Sequence, residues 1–210
     1  MGSEMCIRDS GSALHPPMTL KQTLVRQGLA SCSTGSDVDI GVLLAAVGDP
    51  FQAFATGLLL GVVEADQPVL LAGGSQMAAV LALALQALPP SARQGLSNQV
   101  LLGTTAWLAA ECLQASAGPS SLMVLLRNLE QHFSVSLQAY AAGLRFSNSQ
   151  QPRLRDFEQG HVKEGVGAGG LTLLAQWRGL PLSRLGIACD RAVDQSVSYT
   201  HLTLPTSSQV

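Results

Sequence analysis

The residues best suited to chemistry lie in one stretch, His161-Val162-Lys163-Glu164-Gly165-Val166-Gly167-Ala168-Gly169-Gly170. A glycine run that opens a helix lets backbone N–H groups approach an anion, because no Cβ blocks the way and the helix N-terminus carries partial positive charge. Gly165, Gly167 and Gly169 are therefore candidate ligand-binding positions. Glu164, just upstream, would stand beside an anionic ligand rather than bind it. A carboxylate so placed is a natural general base for a substrate N–H. The plainer alternative is that the glycines allow close helix packing and Glu164 is a solvated acid, as most acids are.

Gly165, Gly167 and Gly170 also satisfy GxGxxG, which would suit an NAD-dependent oxidoreductase. That fingerprint needs an apolar strand before it and an acid about 20 residues on, at the end of the next strand. Here residues 153–164 are polar and charged, and Asp190 falls within a helical pattern. The surroundings do not match.

A second set of candidates is Gly73, Gly74 and Ser75, between the apolar run Val69-Leu70-Leu71-Ala72 and an alanine- and leucine-rich helix. Strand, glycine turn and helix form the unit of a parallel α/β layer, whose strands are apolar on both faces and whose ligands bind at the carboxyl edge. These three residues could line a nucleotide pocket, or simply make the turn that the connection requires. Thr104-Thr105 offer hydroxyls at a second strand end with the same ambiguity. Asp49 reads better as a helix cap before Pro50 than as a ligand contact. His15, His132 and His161 have no obvious partner acid or cysteine and read as surface or packing residues. Cys32, Cys112 and Cys189 are scattered, without CxxC or Cys/His spacing, which argues against a zinc site and a disulfide framework and suits a reducing, cytoplasmic setting.

The elements that must hold these residues alternate. Helices are expected over 20–27 (with Gly28 as the stop), 37–46, 51–63 (apolar nearly all round and hence buried), 77–88, 121–132, 153–159, 171–177 and 182–193. Strands are expected over 69–72 and 100–105, the second entering a polar turn, and 143–151 is irregular. The result is an α/β fold: a Rossmann-like open parallel sheet flanked by helices, richer in helix than strand.

Of the 210 residues, 47% are hydrophobic and 12% charged, with 12 basic against 14 acidic side chains and a net charge of −2. Disorder, collagen and electrostatic binding of nucleic acid are excluded on those figures. No charge interrupts residues 67–92, but the run breaks into strand, Gly73-Gly74 and helix before Pro89-Pro90, so a buried α/β layer fits better than a membrane span. Residues 1–10 and 196–210 share no periodicity with their neighbours and look like translated adapter sequence, leaving 11–195 as the native part.

Lys163-Glu164-Gly165-Val166-Gly167-Ala168-Gly169-Gly170, with Gly48-Asp49-Pro50 and Leu71-Ala72-Gly73-Gly74-Ser75-Gln76-Met77, resembles the nicotinate-nucleotide:dimethylbenzimidazole phosphoribosyltransferases of cobalamin biosynthesis, in their archaeal and cyanobacterial branch. The motifs occur in the family's order and the resemblance covers nearly all of residues 11–195, as the C-terminal part of the family's domain. It implies phosphoribosyl transfer from nicotinate mononucleotide to dimethylbenzimidazole or a related benzimidazole or purine base, giving an α-ribazole phosphate and nicotinate. It maps the family's catalytic glutamate onto Glu164, implies no metal or redox cofactor, and allows a homodimer at full length. The distant bacterial branch has an acid where Ala72 stands here. The family's other glycine-rich loop, expected upstream of His15, is not in this sequence, so the expectation is an N-terminally truncated fragment without full activity.

Overall fold

Val69–Ala72 (β1) and Val100–Thr105 (β2) pair in parallel, with Val69 opposite Val100 and Ala72 opposite Gly103. Gln138–Ala142 (β3) adds to the other side of β2, also parallel, with Leu101 opposite Gln138 and Thr105 opposite Ala142. The sheet is open, in the order β1-β2-β3. These features come from a computed structural model, which describes residues 18–30, 39–111, 122–159 and 167–203.

Three helices precede the sheet: α1 (Met18–Ala30), α2 (Ile40–Val47) and α3 (Pro50–Glu64). The crossover from β1 to β2 runs through α4 (Ser75–Ala87) and α5 (Pro90–Gln99), and that from β2 to β3 through α6 (Ala106–Glu111) and α7 (Leu122–Phe133). After β3 come α8 (Pro152–Glu158), α9 (Gly167–Trp177) and α10 (Leu182–Thr203).

Strand alternation divides the core into two layers. On one face Leu71 and Val100 join Leu59 of α3, Val80, Leu81, Ala84 and Leu85 of α4, Leu96 of α5 and Phe133 of α7. Leu102 continues that face with Ala78, Leu122 and Leu126. On the opposite face α9 lies across all three strands. Beyond β3, residues 143–151 form neither helix nor strand and are tied to α10 by Ser149 donating to Asp190 and by Gln151 Nε2 donating to Asp194 at 2.6 Å. Arg155 of α8 donates to the Ser149 carbonyl at 2.6 Å, so the irregular loop is held by polar groups instead of a ladder.

Both expected strands form with the expected bounds, and Asp49 caps α3 in a capping box with Gln52. Several other expectations are corrected. Gly28 lies inside α1, not at its end; an added Cβ there would sit 2.5 Å from the Ala46 carbonyl oxygen, so its role is close packing of α1 on α2. The third helix is not buried all round: only Thr56 and Leu59 are buried, while Phe54 is 70% exposed. Its uniform apolarity concealed which face would find neighbours. β2 passes directly into α6 in place of the polar turn expected after it. The helix expected over 171–177 begins earlier, at Gly167, inside the glycine cluster. The last helix runs to Thr203, past residue 195. Three elements carried no expectation: α5 with its proline start, the short α6, and β3, whose Gln-Ala-Tyr-Ala-Ala lacks an apolar run.

Candidate functional site

The carboxyl ends of β1 and β2 meet the first turn of α9, and glycine makes the approach close enough. An added Cβ on Gly169 would lie 2.1 Å from the Thr104 carbonyl carbon and 2.3 Å from the Thr105 nitrogen. One on Gly170 would lie 2.6 Å from Ala72 Cβ, and one on Gly167 3.0 Å from the Ala72 carbonyl oxygen. Gly103 reciprocates, since its Cβ would meet Gly170 Cα at 2.9 Å. Backbone rests on backbone here, which only Cβ-free residues permit. Gly169 and Gly170 are buried, so the close-packing role accounts for both.

The other glycine turn belongs to the same edge. The Gly73 N–H donates to the Gly103 carbonyl at 2.9 Å, continuing the β1–β2 ladder by one bond. Gly73 and Gly74 are buried and Ser75 is exposed. Gly74 is the N-cap of α4 and no side chain caps that helix end. Two stretches about 90 residues apart in sequence, joined through Ala72, thus share one sheet edge, where open α/β sheets bind their ligands. Ala72 directs its Cβ at Gly170, on the face that α9 covers.

At the end of β2, Thr105 Oγ1 accepts from the Leu108 N–H at 3.4 Å. Thr104 is 3% exposed, and its Oγ1 has no hydrogen-bond partner among the described residues. A buried hydroxyl left so costs about 1–3 kcal/mol. Trp107, three residues after Thr104, packs between Phe146 and Phe157, with ring centroids 5.6 and 5.0 Å away. Nothing in its sequence neighbourhood marked it, because both partners come from the segment after β3.

Glu164 and Gly165 lie outside the described residues, as do His15, His161, Cys32 and Cys112. Asp49 is occupied in capping, accepting from the Gln52 N–H at 2.9 Å. His132 is exposed and stacks edge-on against Phe133. Cys189 is half-buried on α10. Burial, and then the neighbouring Asp190 carboxylate, push its thiol above 9.0, so it is not an activated nucleophile. Among the described residues no His, Cys, Asp and Glu side chains group to hold a metal ion, and no helix is long and apolar enough to cross a membrane. A cleft of about 420 Å³ between residues 143–149 and α10 includes no residue of either glycine stretch.

No protein-family profile matches the chain. It is 50% identical over 201 residues to a UPF0284 protein of Prochlorococcus marinus strain MIT 9313, covering 96% of this chain and 50% of that protein. Identity to a UPF0284 protein of Parasynechococcus marenigrum strain WH8102 is 53% over 186 residues, 89% of this chain and 46% of the relative. A UPF0284 protein of Gloeobacter violaceus is 36% identical over 186 residues, with 88% and 46% covered. The chain therefore spans about half the length of the curated relatives it matches, and over nearly all of its own length it is similar to cyanobacterial proteins named UPF0284.

Proposed function

We propose that the full-length protein transfers phosphoribose from nicotinate mononucleotide to dimethylbenzimidazole or a related azole base, releasing nicotinate and forming an α-ribazole phosphate. The observation that carries this reading is the convergence of Gly73-Gly74-Ser75 and Gly167–Gly170 on the carboxyl edge of β1 and β2. Both stretches belong to the motifs that resemble the phosphoribosyltransferase family. Glu164 is three residues upstream of Gly167 in the sequence.

The chemistry asks little beyond placement. One ring nitrogen of the base attacks the anomeric carbon as the bond to the nicotinate nitrogen breaks. The cationic nicotinate ring leaves as a neutral pyridine nitrogen, and attack from the opposite face inverts the β-nucleotide to an α-nucleotide. The attacking azole gains positive charge, and Glu164 takes the proton from its other nitrogen. Holding the two rings on either side of the ribose supplies much of the rate. The first turn of α9 carries no acidic residue, and a helix N-terminus presents amides and partial positive charge to an anionic group.

The test is α-ribazole phosphate production by this chain joined to the part of the MIT 9313 relative that it does not match, separated chromatographically from the β-nucleotide. Turnover should fall about 10²- to 10⁴-fold in Glu164→Gln, the range for a general base. Unchanged turnover would remove Glu164 from that role. Binding of nicotinate mononucleotide without product from either protein would leave a nucleotide-binding protein in place of an enzyme.

A further inference from the structure

The sheet has two edges of opposite character. β3 is an edge by composition: Gln138, Ala139, Tyr140 and Ala141 are exposed and only Ala142 is buried. β1 is also terminal in the strand order, yet it reads Val-Leu-Leu-Ala, without a polar side chain. Strands apolar on both faces belong to the interior of parallel sheets, where helices cover each side and strands flank each edge. A smooth apolar edge with unpaired N–H and C=O groups is what folded proteins avoid exposing.

The helix beside β1 is unfinished on the same side. α3 packs on β1, α4 and α5 and buries Leu59. Its other face presents Phe51 (56% exposed), Phe54 (70%) and Leu58 (56%). Gly57 and Gly61 stand on that exposed surface, with nothing within 4 Å of an added Cβ. Phe54, Leu58 and Gly61 recur at the spacing that places them in one row of a helix. Two open glycines beside large apolar side chains make a groove that a second helix could approach closely.

We infer that this surface, the edge of β1 that has no partner strand among the described residues together with the outer face of α3, is where the half of the full-length protein not represented in this chain docks, adding a strand to β1 and apolar side chains to Phe54 and Leu58. The occupant follows from length: the chain covers 50% and 46% of two relatives while matching 96% and 89% of itself. A strand with an interior composition and a half-bare helix at one end of the sheet place the missing contacts there. The inference does not depend on the reaction catalysed.

The experiment is co-expression of the tagged 210-residue chain with the part of the MIT 9313 relative that it does not match, followed by co-purification and measurement of the mass of the complex. The expected result is a one-to-one complex. Phe54→Asp and Leu58→Asp, each at an exposed position, should weaken it at least tenfold, while Ile187→Asp, exposed on α10 beside the loop after β3, should leave it intact. Circular dichroism of each variant chain alone checks that its helices persist. The inference is overturned by absence of co-purification with the unsubstituted chain, by a complex insensitive to both α3 variants, or by self-association of this chain that those variants abolish, which would make a second copy the occupant.

Discussion

Helices α3 and α9 both carry glycines in their interiors, and the glycines do opposite things. In α9, Gly169 and Gly170 press against the ends of β2 and β1, and a methyl group at either would lie inside van der Waals distance of backbone or of Ala72. In α3, Gly57 and Gly61 face open space. The residue type is the same, and so is the intrinsic cost of glycine in a helix, about 0.5–1 kcal/mol relative to alanine. What differs is the return: α9 gains a contact that no other residue permits, whereas α3 gains nothing within this chain. A helix glycine is therefore informative only with its neighbours known.

The largest effect should come from filling the closest gap. Gly169→Ala puts a methyl group 2.1 Å from the Thr104 carbonyl carbon, and neither backbone can yield without lifting α9 from the sheet. Overpacking typically costs about 1–3 kcal/mol, and a rigid backbone obstacle puts this variant at or above the upper end. Urea denaturation should show a midpoint far below that of the parent chain. An unchanged midpoint would mean that α9 does not sit on β2 as described. Gly170→Ala meets Ala72 Cβ at 2.6 Å and should fall within the same range, about 1–3 kcal/mol.

Gly73→Ala separates backbone obstacles from side-chain ones at the same sheet edge. Its nearest obstacle is Met77 Cγ at 2.5 Å, and an unbranched methionine can change rotamer. Its cost should be the smallest of the three, about 1 kcal/mol, at the low end for overpacking. A loss equal to that of Gly169→Ala would show Met77 to be as immovable as backbone.

Thr104→Val tests whether this edge is only packed or also functional. The substitution keeps the shape and removes a buried hydroxyl that has no partner among the described residues. If the edge serves packing alone, the chain should gain up to about 1 kcal/mol of stability. The proposed function adds a second expectation: in the full-length fusion, affinity for nicotinate mononucleotide should fall several-fold by calorimetry while stability rises. A rise in stability with unchanged affinity would make Thr104 a packing residue.

How much of this was legible in the sequence follows from range. β1, β2 and the Asp49 cap depend on residues within a few positions of each other, and the bounds 69–72 and 100–105 come directly from apolar runs between turn residues. β3 was invisible because an exposed strand with one buried residue leaves neither an apolar run nor an alternation. The meeting of Gly169 with Thr104 and of Gly170 with Ala72 could not be read at all, since it depends on the chain returning across the sheet after β3. The sequence did show that residues 161–170 were unusual and that close packing and ligand approach were both available explanations. The structure supplies the first for Gly169 and Gly170 and brings the second glycine turn to the same edge.

The smallest effects belong to α3, and they sharpen the contrast most. Gly57→Ala and Gly61→Ala add a methyl group in open space within a formed helix, so each should stabilise the isolated chain by about 0.5–1 kcal/mol through helix propensity. The sign is opposite to that at Gly169 and Gly170, and urea midpoints measured together would show it. The same substitutions should act differently once the rest of the protein is present. If a second helix approaches α3 along Gly57 and Gly61, the methyl groups stabilise the free chain and obstruct the partner, so the complex with the complementary half weakens as the chain alone strengthens. Stabilisation in both states would mean that the partner, if it covers Phe54 and Leu58, does so without close approach at the glycines. Gly57 and Gly61 would then differ from Gly169 and Gly170 in the whole protein as they do in this chain.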